Sequence, residues 1–271
     1  MGLRINTNVA AINTSRVLRN STEDLNRSLE RLSSGLRINR AADDAAGLAI
    51  AEGFNSVVRG TQVAQRNSQD GVSLVQTAEG ALSETTNILQ RIRELAVQAA
   101  NGTQSTNNRL AIDSEVGQLL DQIDDIAMDT QFNGISVLSS AQTLTLQAGA
   151  MTSQTLVISL TGAKTTELGV SAVRVSTMAA AVSAISTIDN ALKSVSTLRS
   201  TLGAYQNRLE FTINTLAIQE ENSASSESAI RDADIAKETI AFTRNQILVS
   251  AGTSVLAQAN VVPQTALQLL R

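Results

Sequence analysis

Residues 50–99 read IAEGFNSVVRGTQVAQRNSQDGVSLVQTAEGALSETTNILQRIRELAVQA, and one uncharged stripe runs through them without a break. Ile50, Phe54, Val57, Thr61, Ala64, Ser68, Gly71, Val75, Ala78, Leu82, Thr85, Leu89, Ile92, Ala96 and Ala99 follow one another in alternating steps of four and three residues. That spacing holds one side of a helix against a partner helix, as coiled-coil packing requires. The small members Ala64, Ser68, Gly71 and Ala78 imply close approach rather than a thick core. A helix over 44–100 is about 85 Å long at a rise of about 1.5 Å per residue, so the stripe predicts a rod.

Outward from that helix, Asn101 and Gly102 supply a C-terminal stop, and Thr103 to Asn108 form a polar turn. A second helix carries Ile112, Val116, Leu119, Ile123 and Ile126 in the same alternation and ends before the turn pair Asn133 and Gly134. From about 135 to 176 the period changes to two. Leu144 and Leu146 share one face of a strand over Thr143 to Gln147, and Leu156, Ile158 and Leu160 share one face of another over Thr155 to Leu160. The helical period returns near Met178 with Ala181, Ile185, Ile188, Leu192, Val195, Leu202, Leu209, Ile213 and Leu216, and is expected to end in the Ser-rich stretch Asn222 to Ser228.

The two ends carry stripes with no local partner. Leu18, Leu25, Leu29, Leu32 and Leu36 mark the first, and Ile235, Phe242, Val249 and Leu256 recur every seven residues in the second. Terminal helices over 1–43 and 231–271 are therefore expected to pair with each other, outside a domain of long helices over 44–230. So small a pair buries little surface, so neighbouring subunits should complete it. The expected fold is mainly α, a long antiparallel helical bundle or coiled-coil rod with a small β-hairpin insert and paired terminal helices.

Composition removes most chemistry. The 271 residues include no His, Cys or Trp, so imidazole catalysis, thiolate ligands and disulfides are out of reach. No G-x-G-x-x-G occurs, no Gly precedes a Lys directly, and none of Lys164, Lys193 and Lys237 stands three residues after a Ser. Asp43 and Asp44 lie where the long helix begins, which suits capping better than metal binding. Asp121, Asp124 and Asp125 lie mainly off the Ile stripe and read as a solvated face. No enzyme activity, metal or cofactor is expected.

Arg16, Arg19, Arg27 and Arg31 form a basic face, but no aromatic accompanies them and Glu23, Asp24 and Glu30 interrupt it. Interhelical ion pairs, rather than nucleic acid, are the expected use. Residues 1–40 carry a net +4, residues 231–271 a net +1 and the middle a net −9, which favours regular packing between copies. The uncharged stretch between Arg244 and Arg271 is long enough to cross a bilayer, but Gln246, Gln258, Asn260, Gln264, Gln268 and Pro263 argue against insertion. In LQRIRELAVQAANGT, Arg91 and Leu95 fall outside the buried register, which reads either as a broader buried face or an isolated surface Leu, or as an exposed face for a subunit or receptor.

The motifs INTNVAAINTSRVLRNS and LSSGLRINRAADDAAGLAI at the start, QRIRELAVQAANGT in the middle and AGTSVLAQANVVPQTALQLLR at the end closely resemble bacterial flagellin, in a short form without large outer variable domains. The resemblance implies a structural subunit exported by the flagellar type III system, with an export chaperone. Secreted to the extracellular flagellum, it polymerises beneath a filament cap, beyond hook-junction proteins, into the filament of motility. It implies that the two ends form an inner tube and the middle an outer rod. It implies recognition by the host receptor TLR5 through Arg91, Leu95 and Glu115, and by NAIP sensors through Leu267, Leu269 and Leu270. Alternatives from the same reading are a hook-filament junction protein of the same superfamily and a secreted coiled-coil adhesin.

Overall fold

The structure, a computed structural model, describes residues 7–268, with side chains as far as Val261. Five helices and two small hairpins follow in the order α1 (Val9–Ser34), α2 (Ala45–Ala100), α3 (Thr106–Asp129), β1 (Gln131–Phe132), β2 (Ile135–Ser136), β3 (Gln142–Gln147), β4 (Thr155–Leu160), α4 (Met178–Arg231) and α5 (Ile235–Gln268). Their ends are set locally. Asn8 caps α1 by accepting the Ala11 N–H at 3.1 Å, and Gly35, at φ +73°, closes it with a left-handed turn that returns its N–H to the Arg31 carbonyl. Asp44 Oδ1 accepts the Gly47 N–H at 2.9 Å at the start of α2, and Ser105 caps α3 through the Asn108 N–H. Both carboxylates at 43 and 44 therefore serve the backbone: Asp43 accepts the N–H groups of Asn39 and Arg40.

The chain divides into two compact units, Met1–Ser56 with Asn222–Arg271, and Val57–Glu221. These boundaries fall deeper in the long helices than positions 43 and 231. Local bonds explain the difference: Asn55 donates to Glu227, and Arg231 pairs with Glu52 at 3.2 Å. They tie the start of α2 to the end of α4 inside the first unit.

In the second unit every stripe position of α2 from Thr61 to Ala99 is buried. Antiparallel order follows from the cross-links. Gln62 meets Glu220, Glu79 meets Arg199 and Arg93 meets Asp189 between α2 and α4, while Arg91 meets Glu115 between α2 and α3. Leu82, Leu89 and Ile92 of α2, Val116 and Ile123 of α3, and Ile188 and Leu209 of α4 are fully enclosed in one core. The small stripe residue Gly71 has a specific reason: a Cβ there would stand 2.5 Å from Leu146 Cδ1 and 3.4 Å from the Leu209 methyls. The missing side chain makes room for β3 and α4 at once.

β3 and β4 pair antiparallel with Leu144 opposite Ile158 and Leu146 opposite Leu156, so the expected alternation sets the register. Asn133 and Gly134 take φ of +52° and +77°, the two-residue turn that joins β1 to β2. Periodicity does not show these two-residue strands, which are too short to repeat.

Two expectations are corrected here. α4 continues through the Ser-rich stretch to Arg231, because its serines serve the helix: Ser223 is buried, and Ser226 bonds back to the Asn222 carbonyl at 2.7 Å. Asp124 is not part of a solvated face. It accepts the Thr165 N–H and hydroxyl at 2.8 Å each, and Asp113 accepts the Val175 N–H, so α3 anchors the segment leading to α4.

Candidate functional site

α1 and α5 run antiparallel and pack along their length. Asn8 Nδ2 donates to the Ala259 carbonyl at 2.8 Å, Leu18 lies against Gly252, and Arg31 faces Glu238 at 3.7 Å. The seam on α1 is Ala11, Thr14, Leu18, Ser21, Leu25, Ser28 and Leu32, in steps of three and four. On α5 it is Glu238, Phe242, Asn245, Val249, Gly252, Leu256 and Ala259. Leucines thus alternate with small residues. Ser21 and Ser28 are the buried members of α1, a consequence of close helix approach that an apolar pattern does not reveal.

Of the stripe residues read from sequence, Leu18, Leu25, Leu32, Phe242, Val249 and Leu256 lie half-buried on this seam. Three do not. Leu29 and Ile235 are about half exposed, at 49% and 51%: Leu29 falls off the register set by Ser28, whereas Ile235 keeps the register of Glu238 but is the first residue of α5. Leu36 lies beyond the helix, past the Gly35 turn, and forms an isolated bridge with Asp232. Arg37 and Ala233 add backbone bonds to Arg231 and Gly35, so the two chain segments are clasped where α1 ends and α5 begins.

The seam uses one side of each helix, and the other side is also apolar. Val9, Ile12 and Val17 of α1, and Ile240, Ile247, Leu248, Val255 and Val261 of α5, are exposed. Ile240, Thr243, Arg244, Ile247 and Leu248 line an open groove along α5. A helix with apolar residues on both sides belongs inside a structure, yet here the second apolar side of α5 faces outward. The polar bonds available in the groove are few, so it suits hydrophobic packing and no chemistry.

The second set of candidate residues lies on the α2–α3 pair. Arg91 Nη2 donates to Glu115 Oε1 at 3.0 Å and Arg91 also pairs with Glu94 at 3.2 Å. These bonds, Glu115's first, hold the guanidinium above its usual pKa. Arg91 and Glu115 are exposed together. Leu95 is not: at 2% exposure it belongs to the core, one helical turn from Arg91, as the broader buried face has it and the exposed face does not. The buried face of α2 is wider here than the stripe, since α3 and α4 pack on it from two sides. Leu267 lies on α5 in a part whose side chains are not described, and Leu269 and Leu270 lie outside the described residues.

Among the described residues no helix is long and apolar enough to cross a membrane. The basic face of α1 is partly spent on ion pairs, Arg27 with Asp24 and Arg31 with Glu238.

Residues 5–143 match the bacterial flagellin N-terminal helical region, and residues 185–270 match the bacterial flagellin C-terminal helical region. The chain is 44% identical to the flagellin of Bacillus subtilis, over 99% of this chain and 100% of that one. It is 47% identical to the flagellin of Halalkalibacterium halodurans, over 98% and 99%. It is 43% identical to the flagellar filament 33 kDa core protein of Treponema phagedenis, over 98% and 99%. The crystal structure of Bacillus cereus flagellin superposes with a TM-score of 0.50 at 34% identity, over 56% of this chain and 88% of that one. A putative flagellar hook-associated protein from Vibrio parahaemolyticus shares the fold alone, with a TM-score of 0.59 at 12% identity over 70% of this chain and 100% of that one. Two family regions covering most of the chain, and relatives matched from end to end, place it: the chain belongs to the bacterial flagellin family.

Proposed function

We propose that this chain is the structural subunit of a flagellar filament, assembling by self-association of its terminal unit and serving motility mechanically rather than as an enzyme. The observation that carries the proposal is the outward apolar side of α1 and α5. Burying an exposed Ile contributes about 1.5 to 3 kcal/mol, and Ile12, Ile240 and Ile247 are each 60% exposed or more. Further copies of the same helices supply a cover of matching chemistry. Names among the relatives, flagellin and flagellar filament core protein, support the same reading.

On this reading the first unit is the inner polymerisation domain and the second the outer rod. Export through the flagellar type III system with a chaperone on the apolar C-terminal end delivers the chain outside the cell. It then adds beneath the cap of a filament that starts on hook-junction proteins. Free monomer is read by TLR5 through Arg91 and Glu115, with Leu95 supporting them from beneath, and by NAIP sensors through Leu267, Leu269 and Leu270. The exposed Arg91–Glu115 pair and the resemblance of the surrounding motif support the first of these; the terminal TALQLLR motif supports the second.

The test is elongation of short filament seeds, seen by electron microscopy, for the intact chain, a variant without residues 231–271, and Ile247→Asp. Intact chain should elongate and both variants should not, with Ile247→Asp keeping the monomer's helical circular dichroism. Elongation by Ile247→Asp at the normal rate would remove the outward face of α5 from the assembly surface.

A further inference from the structure

The turn between α2 and α3 holds Asn101, Gly102 and Thr103, all exposed. Asn101 Oδ1 accepts the Thr103 N–H at 3.2 Å, which curls the carboxamide back over the Gly102 backbone. That bond has a chemical consequence, because it draws electron density from Cγ and would also hold a negative charge developing on Oδ1. Gly102 presents no Cβ to block approach, and nothing lies within 4 Å of the place where one would stand. Its N–H makes none of the turn bonds of this segment, whereas the neighbouring Asn101 and Gln104 N–H groups are both spent, on Gln98 and Asn101 carbonyls. Arg109 adds a positive charge, donating through Nη2 to the Asn101 carbonyl at 3.0 Å.

We infer that Asn101 is a site of spontaneous deamidation, built by this turn. The Gly102 amide nitrogen bonds to Asn101 Cγ, the Cγ–Nδ2 bond breaks, and Nδ2 departs as ammonia carrying the proton that Gly102 gives up. Water then opens the cyclic imide. Attack at the main-chain carbonyl leaves an isoaspartyl residue, with Cβ and Cγ now in the backbone; attack at Cγ leaves aspartate. No enzyme, metal or oxidant enters the balance. Proximity and the single donor on Oδ1 supply the acceleration.

The molecule carries its own comparison. Asn133–Gly134 has the same two residues, also exposed, but Asn133 sits at φ +52° in a hairpin turn, and no N–H donates to its carboxamide among the described residues. Sequence alone ranks the two sites as equals; the fold separates them. Product at 101 places a new negative charge just past the C-terminal end of α2, where the helix dipole disfavours it, and the Arg109 guanidinium beside it offsets part of that cost. The inference does not depend on filament assembly.

The experiment incubates the full chain at 37 °C in mildly alkaline buffer, with a parallel sample unfolded in urea, and follows both sites by peptide mass spectrometry and isoaspartyl-specific methylation. In the folded protein the mass gain at Asn101 should outrun that at Asn133. In urea the two should converge, and the gain should speed up as pH rises. Gly102→Ala should slow reaction at 101 and leave 133 unchanged. Equal rates in the folded chain, faster reaction at 133, or an unreacted Asn101 would each overturn the inference.

Discussion

Replacing Leu89 by alanine tests the stripe at its centre. Leu89 is fully enclosed between α2, α3 and α4, so nothing but protein lies around it. Removing the carbons beyond Cβ forfeits about 2.5 kcal/mol of transfer free energy, at about 0.8 kcal/mol per carbon. The space left behind adds about 1 to 2 kcal/mol, because three helices cross-linked along their lengths cannot close on it fully. The total of about 4 kcal/mol, acting on a unit the size of residues 57–221, lowers its thermal midpoint by about 10 °C. Phe211→Ala is the control, since Phe211 is 72% exposed and its loss should change stability by no more than about 0.5 kcal/mol. The assay is thermal unfolding of the purified monomer by far-ultraviolet circular dichroism. If Leu89→Ala melts together with Phe211→Ala, the seam between the long helices is not where the stripe puts it.

Glycines on the long helices should part company according to their surroundings. Gly71→Ala drives a Cβ into Leu146 and should cost about 1 to 3 kcal/mol, whereas Gly117→Ala meets nothing within 4 Å and should gain about 0.5 to 1 kcal/mol in urea titrations. Acid should loosen the terminal unit. Asp43 is held below the usual aspartate range first by the Arg40 N–H, with burial opposing and then the Asn39 N–H and the charges of Arg31 and Arg27 adding to it; Asp234 is held low first by the Lys237 N–H and then by its ammonium. A lowered folded pKa gives stability that is complete above about pH 4 and is lost as pH falls through the folded value. The Asp43→Asn, Asp234→Asn double variant should therefore melt lower than the parent at neutral pH and converge with it in acid. For Glu115→Ala the denaturant midpoint should move no more than for any exposed substitution, because its pair with Arg91 is half in water; a large drop would make the pair structural.

Much of this architecture is written in side-chain periods. The stripe from Thr61 to Ala99 and the strands at 142–147 and 155–160 were legible because each runs long enough for its period to repeat. What escaped has a common physical origin. Ser21 and Ser28 occupy seam positions where close approach favours small size over hydrophobicity, so a search for leucines passes over them and picks up Leu29 instead. Ser223 to Ser228 look like a helix end by composition, but packing of α4 and its own hydroxyl bonds carry the helix past them. Leu95 sits off the stripe yet inside, since a helix with neighbours on two sides needs a face broader than any two-position pattern. The outward apolar side of α5 was visible in composition, whereas its separation from the seam needed the coordinates.

The bond from Asn8 to Ala259 joins residues 251 positions apart. At about 5 to 20 residues per second, a ribosome needs roughly 12 to 50 s to travel that distance. From the completion of α1 at Ser34 until α5 begins at Ile235, the seam of α1 has no counterpart, whereas α2 and α3 have each other as soon as both are made. The terminal pair is thus the last part of the described chain able to form, and the order of translation alone withholds it until α5 has been made.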